Sequence, residues 1–420
     1  LEHPTPHPLD RHFARNVAGI SLVELLWGFG MPLVFESTFL QLFLRQLGAS
    51  SLLVGMIPTL AAAGGSLSCL LALSLTSRLN RKRTATILIH IAGSLSPLTL
   101  GIIIGAGGIQ SSTLGTFLAL YALFSVVMGL LLPIWQNYVT KIFSDRTTVP
   151  AMAIMMTTQS VGRLVGSLYL SRIVERYSFT AEGVSLAFLL AGVLFFTGSF
   201  PFLLTLEKEE HAGRDAVVQS TAATGPRNAL GRALANRAFL AFLGTELEYA
   251  ALSGTIAFYA NFATALSGVR PAVASGLFTA CMYIGGVIAN AVLGWANLLS
   301  LRGKYLLTKS LALAGLVLLS LHPATWVFLL VSLLFGASRG TRLLVFLPAV
   351  KRLSGQTDAT VYFAVAPVLT FPFTTGLPLL NGAFIDRYAS LGAGAYRIVF
   401  LAMGVLSLAG LCFAFCMKRD

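Results

Sequence analysis

The sequence predicts an all-α integral membrane protein of twelve transmembrane helices arranged as two six-helix bundles, and three observations carry that prediction. Of 420 residues, 56% are hydrophobic and 11% charged, which leaves too little polar surface to clothe a soluble globule of this size. Apolar runs of about 20 residues, the length that crosses a bilayer core, recur along the chain. One long polar stretch, Glu207 to Arg237, interrupts them near the middle.

Apolar runs bounded by charged residues, Pro or Gly place the spans at 17–44, 51–76, 84–106, 112–140, 149–171 and 182–204, then 237–266, 271–297, 305–322, 324–350, 359–384 and 393–416. Residues 1–206 form an N-terminal bundle, 207–236 a flexible linker and 237–420 a C-terminal bundle. Arg78, Arg81, Lys82, Arg83, Lys141, Arg146, Arg302, Lys304, Lys351 and Arg352 fall on one side, together with the basic residues of both ends. The positive-inside rule makes that side cytoplasmic. A multi-pass protein of a bacterial inner membrane, with both termini inside and lipid as its surroundings, is expected, and as a monomer.

The net charge of +13 resides in these short loop clusters. They lack the contiguous patch and interleaved aromatics of a nucleic-acid groove, so no nucleic-acid partner is expected. Cys69, Cys281, Cys412 and Cys416 lie in apolar stretches without metal-ligand spacing, so neither a metal nor a disulfide framework is expected. There is no Gly-x-x-x-x-Gly-Lys loop for ATP and no His-Glu-x-x-His cluster. The chain therefore reads as no enzyme and as needing no cofactor beyond an ion gradient, expected to be protons.

The halves resemble each other. Each first span opens on an asparagine (Asn16, Asn236), carries a carboxylate two to three turns in (Glu24, Glu246), and ends in a Gly-containing turn before a second span bearing Gly55 or Gly276. That pattern predicts a parallel repeat with a cleft between its copies.

The loop between the second and third spans reads Leu73-Ser74-Leu75-Thr76-Ser77-Arg78-Leu79-Asn80-Arg81-Lys82-Arg83. It resembles the Gly-x-x-x-Asp-Arg-x-Gly-Arg-Lys loop of the major facilitator superfamily, keeping Arg78, Arg81 and Lys82 but with Leu73, Ser77 and Asn80 at the Gly, Asp and Gly positions. Gly162 and Gly166 in span five resemble a shortened form of the drug antiporters' glycine-rich motif without its Pro and Gly-Gly, and the favoured reading is that they are close helix contacts. The resemblance implies the facilitator fold, transport by alternating access, a conformational role for Arg78, Arg81 and Lys82, and a central cavity lined by spans one, four, seven and ten.

Ionisable residues at membrane depth are costly and point to function. Here they are Glu24 and Glu36 in span one, His90 in span three, Arg163 in span five, Glu246 and Glu248 in span seven, and Arg339 and Arg342 in span ten. Glu24, Glu246 and Glu248 are the proton-coupling candidates: a carboxylate desolvated in a closing cavity takes up a proton, and one rehydrated or paired releases it. The alternative for them is a static ion pair with Arg339, Arg342 or Arg163. Glu248 lies roughly 200° around an ideal helix from Glu246, so only one of them, with Glu246 favoured, is expected to face the cavity. His90 reads as a satisfied histidine near the cytoplasmic edge.

Arg339, Arg342 and Arg163 are expected to bind substrate, because guanidinium groups grip carboxylates and phosphates. Trp27, Gln136, Asn137, Tyr249, Tyr283 and Asn290 complete the expected lining. The function predicted is proton-coupled secondary transport of a small anionic or zwitterionic solute. The competing readings are an exporter of lipophilic cations centred on the carboxylates and, in another class, a membrane enzyme or non-transporting receptor.

Overall fold

The computed structural model describes residues 10–35, 37–76, 82–207, 231, 234–295, 298–321, 324–354 and 360–416. Helical rods meet the expected spans one by one. In the first half they are α1 (Phe13–Val34, continued by Ser37–Gln46), α2 (Ser51–Thr76), α3 (Lys82–Gly107), α4 (Thr113–Ile142), α5 (Asp145–Tyr177) and α6 (Ala181–Thr197, with a 3-10 turn over Phe200–Leu204). In the second they are α7 (Arg237–Thr245, then Leu247–Ser267), α8 (Phe278–Ala289 between π-helical turns Val273–Leu277 and Asn290–Trp295), α9 (Leu301–Ser320), α10 (Thr325–Ser354), α11 (Thr360–Arg387) and α12 (Ala393–Cys416). Ser77, Arg78, Asn80, Arg81, Glu36, most of the 207–236 linker and the side chain of Asn137 lie outside the described residues.

Among the described residues, ten rods are long and apolar enough to cross a membrane; α5 and α7 fall short of that mark. The reason is compositional: α5 carries Gln159, Arg163 and a Thr/Ser-rich stretch, and α7 is interrupted at Glu246 and holds Glu248, Thr255 and Asn261. These two spans hold Arg163, Glu246 and Glu248 among the charged candidates.

Small residues set the closest helix contacts, as expected for bundles in which lipid supplies no hydrophobic contrast. A Cβ on Gly162 or Gly166 of α5 would sit 2.4 Å from Leu25 O or 2.1 Å from Phe29 O of α1. Gly64 of α2 faces Ser125 O of α4 in the same way at 2.3 Å, and Gly285 of α8 faces Leu333 O of α10 at 2.0 Å. On α10, Gly336 and Gly340 admit the α8 backbone at Met282 and Gly286.

The repeat is visible in its anchors. Asn16 Nδ2 donates to Ile142 O at the end of α4 (3.0 Å), and Asn236 Nδ2 donates to Leu353 O at the end of α10 (3.0 Å). Each asparagine ties the start of its half to the end of that half's fourth rod. Counted from these anchors, Glu24 comes eight positions on and Glu246 ten. The two carboxylates are therefore out of register in the repeat.

Contacts between the halves run from mid-depth to the end farthest from the start of α1, here called distal. Thr38 meets Thr279 (2.6 Å), Gln41 Nε2 donates to Ile256 O (3.0 Å), and Ser171 donates to Ala272 O (2.8 Å). Along the α2–α11 seam, Thr59 donates to Thr375 O (2.9 Å) and Ser66 to Pro367 O (3.4 Å). At the distal rim the Asp386 carboxylate accepts from Ser51 N and Leu52 N, both at 2.8 Å. It sits on the positive end of α2, where the first backbone amides lack helical partners. At the opposite, proximal end Glu207 does the same for α3, accepting from Lys82 N (3.1 Å) and Arg83 N (2.9 Å).

Candidate functional site

The helical interruption at Glu246 determines the chemistry of the second half. An unbroken helix would turn Glu246 and Glu248 to different sides, as expected above. With Arg237–Thr245 ending before Glu246 and a new segment starting at Leu247, both carboxylates reach the same cation on α9. Lys309 Nζ donates to Glu248 Oε2 at 2.9 Å and to Glu246 Oε1 at 3.3 Å. The expected separation of the two glutamates is corrected accordingly.

Around this lysine the polar groups close on one another. Tyr305 Oη donates to Glu246 Oε1 (2.7 Å) and is also paired with Thr245 Oγ1. Ser338 Oγ donates to Glu248 Oε1 (3.0 Å), and Arg342 Nε donates to Glu246 Oε2 (2.6 Å). Two carboxylates thus face two cations, a balance that a low-dielectric interior demands. The Lys309 and glutamate side chains are buried, whereas 18% of the Arg342 side chain is exposed. Arg342 is the accessible charge of the cluster, with its guanidinium 3.8 Å from the Tyr249 ring centroid and 4.7 Å from that of Phe346.

Sequence reading missed Lys309. It follows Arg302 and Lys304 closely and so passes as one more basic residue of a span start. The signal that reveals it is electrostatic: two carboxylates two residues apart in one span call for more than one cation nearby.

In the first half, Gln159 Nε2 of α5 donates to Glu24 of α1 at 2.5 Å. One turn on, the Arg163 guanidinium lies 5.3 Å from the Tyr283 ring centroid on α8, so this contact crosses between the halves. Arg163 Nε is buried and has no hydrogen-bond partner. Arg339 approaches Met282 Sδ (4.0 Å), also on α8, so the two α10 arginines reach toward different neighbours.

The remaining candidates scatter. Trp27, expected in the cavity, is buried inside the first bundle, where its indole donates to Phe195 O (3.1 Å) and stacks on the Phe195 ring. His90 packs against Trp27 and Phe202 and bonds Thr86 O through Nδ1 at 2.7 Å, the satisfied state expected of it. Gln136 is exposed on α4. Asn290 lies in the π-helical end of α8, its buried Oδ1 without a partner. Two cavities in the first bundle, one around Pro97 and Tyr121 and one around Glu182 and Ser185, touch none of the charged candidates.

The family model described as the Major Facilitator Superfamily matches residues 25–341. No curated protein sequence matches this chain. Among solved structures, the fold is similar to that of a mutant of the nucleoside transporter NupG, with TM-score 0.71 and 10% identity over 96% of this chain and 100% of that one. It is similar to a bacterial homolog of the human lysosomal transporter Spinster in an inward-facing, unoccupied conformation (TM-score 0.68, 16% identity, 98% and 97% covered). A peptide transporter POT in complex with sulfate is comparably similar (TM-score 0.67, 14% identity, 99% of each chain covered).

Proposed function

We infer, from the premise that this chain belongs to the Major Facilitator Superfamily and is a multi-pass secondary transporter rather than an enzyme, that its cargo is a small organic anion or zwitterion driven by protons. The observation that carries this reading is Arg163. It stands at mid-depth on the seam between the halves, facing Tyr283, with a buried Nε that lacks an acceptor. A buried guanidinium donor left unsatisfied is costly, and a ligand carboxylate or phosphate oxygen satisfies it with a charge-assisted bond. Glu24, one turn away through Gln159, places a carboxylate beside that clamp. Arg339 and Arg342 present further guanidinium groups from the second half. With the proximal side assigned to the cytoplasm by its loop charges, the contacts named above join the halves from mid-depth to the side away from it.

The test is thermal unfolding of the purified protein with a panel of carboxylate, phosphate, zwitterionic, cationic and neutral metabolites, run in parallel on Arg163→Ala. A ligand at about 100 times its Kd stabilises by about 2.7 kcal/mol. Anions or zwitterions are expected to raise the melting temperature of the wild type and to lose that effect in the variant. Stabilisation of both proteins by lipophilic cations alone would sink the anion reading and favour a carboxylate-centred exporter.

Alternating access also requires the distal seam to part. Asp386→Ala removes the acceptor for two α2 amides, an interaction of about 1 kcal/mol, or roughly fivefold in the open population. In a background without native cysteines, Thr279→Cys is expected to label about fivefold faster with an impermeant maleimide from the distal side when Asp386→Ala is present. Equal labelling rates would show that Asp386 does not hold the seam.

A further inference from the structure

The four charges of the cluster on α7, α9 and α10 balance to zero, and one of them is partly exposed. Glu246 and Glu248 share Lys309 at 3.3 and 2.9 Å, and Glu246 also holds Arg342 at 2.6 Å. An anion that docks on Arg342 adds one negative charge to a balanced group in a poorly solvated interior. Lys309 is already divided between two carboxylates and has no charge left to offset a third. A proton taken up from solvent restores neutrality at the least cost, and Glu246 is the site, being the carboxylate in contact with Arg342.

We propose that Lys309 makes the Glu246–Glu248 pair a one-proton site loaded together with an anion at Arg342, so that one proton moves with a singly charged anionic cargo. This rests on the anion reading given above and adds to it the coupling ratio and a residue, Lys309, that acts by positioning both carboxylates. The titratable groups beside the cluster come from α7, α9 and α10. On α7 the titratable groups are Glu246, Glu248 and Tyr249, and on α9 Tyr305 and Lys309. On α10 they are Arg342 and, one turn before it, Arg339, whose guanidinium reaches Met282 on α8, and α12 presents Gly410 against the backbone of Thr245 and Glu248. No further carboxylate contacts the pair among the described residues.

Linkage makes the coupling reciprocal: whatever the anion gains from the proton, the proton gains from the anion. A monoanion would move with one proton and no net charge, and a dianion with two charges to offset would leave the cluster unbalanced. The cluster thereby selects cargo by charge as well as by fit.

Arg342→Gln reproduces the charge of the anion-loaded cluster without any ligand, which lets the idea be tested before the cargo is known. The full-length chain in detergent is unfolded thermally between about pH 5 and pH 8, and its carboxyl infrared band is recorded in parallel. In Arg342→Gln the folded state is expected to hold one proton more than the unfolded state. Its melting temperature should therefore fall as pH rises, relative to wild type, and a protonated carboxyl band should be present at neutral pH. Both effects should vanish in Arg342→Gln/Glu246→Gln, where neutrality returns without a proton.

If Arg342→Gln cannot be recovered folded, Lys309→Met leaves the same surplus and is expected to give the same pH slope and band. Recovery of the two neutral doubles, Arg342→Gln/Glu246→Gln and Lys309→Met/Glu248→Gln, with neither single would support the proposal equally. A pH-independent Arg342→Gln without a carboxyl band would overturn it, as would an unchanged slope in the double, or loss of all four variants alike. Those failures leave anion binding at Arg163 untouched, because the ligand panel reads it separately.

Discussion

Lys309→Met is expected to lower stability at neutral pH by about 3–5 kcal/mol, the range for a buried ion pair that loses one partner. Methionine fills much of the volume, so packing is not the main loss. What disappears is the ammonium between Glu246 and Glu248, together with its position 4.6 Å from the Tyr305 ring centroid. The side chain is completely buried, so water cannot replace it without opening the α7–α9 contact. Adding Glu248→Gln removes the carboxylate left without a cation, Glu246 still being held by Arg342, and is expected to recover most of the loss. Thermal unfolding in detergent reads both variants; a single variant as stable as wild type would mean that Lys309 carries little of the charge balance.

Gly336→Ala is expected to cost about 3 kcal/mol or more, at the upper end for overpacking. The added Cβ would lie 1.8 Å from Met282 O and 2.5 Å from its carbon, so the clash is with backbone and no side-chain rotamer relieves it. Helices α8 and α10 would have to separate, which would also draw Arg342 away from Glu246. Gly115→Ala on α4 is the control: its Cβ meets nothing within 4 Å, and alanine favours helix by about 0.5–1 kcal/mol. Equal melting temperatures for the two variants would show that the α8–α10 contact tolerates separation.

The spans were legible because their determinant is local. A run of apolar residues must bury its backbone polar groups in a helix wherever it crosses lipid, so ten rods follow from apolar composition, and the charged, Pro and Gly boundaries placed the more polar α5 and α7. The repeat was legible for the same reason at Asn16 and Asn236, where the residue type recurs at the start of each half. The pairing of Glu24 with Glu246 as equivalents was not supported, since a two-position offset separates them and a count of turns does not resolve it.

Composition determined that this chain crosses a membrane many times and that a few ionisable groups lie at depth within it. Tertiary structure alone decided which of them are partners. Glu248 and Lys309 stand 61 positions apart and Glu246 and Arg342 stand 96 apart, so no local pattern links them. The break at Glu246 turned two carboxylates that an ideal helix would separate toward one lysine, and helix packing buried Trp27 while leaving Arg342 in reach of solvent. Charge balance in a low-dielectric interior is a property of neighbours in space, and the fold brings those neighbours together.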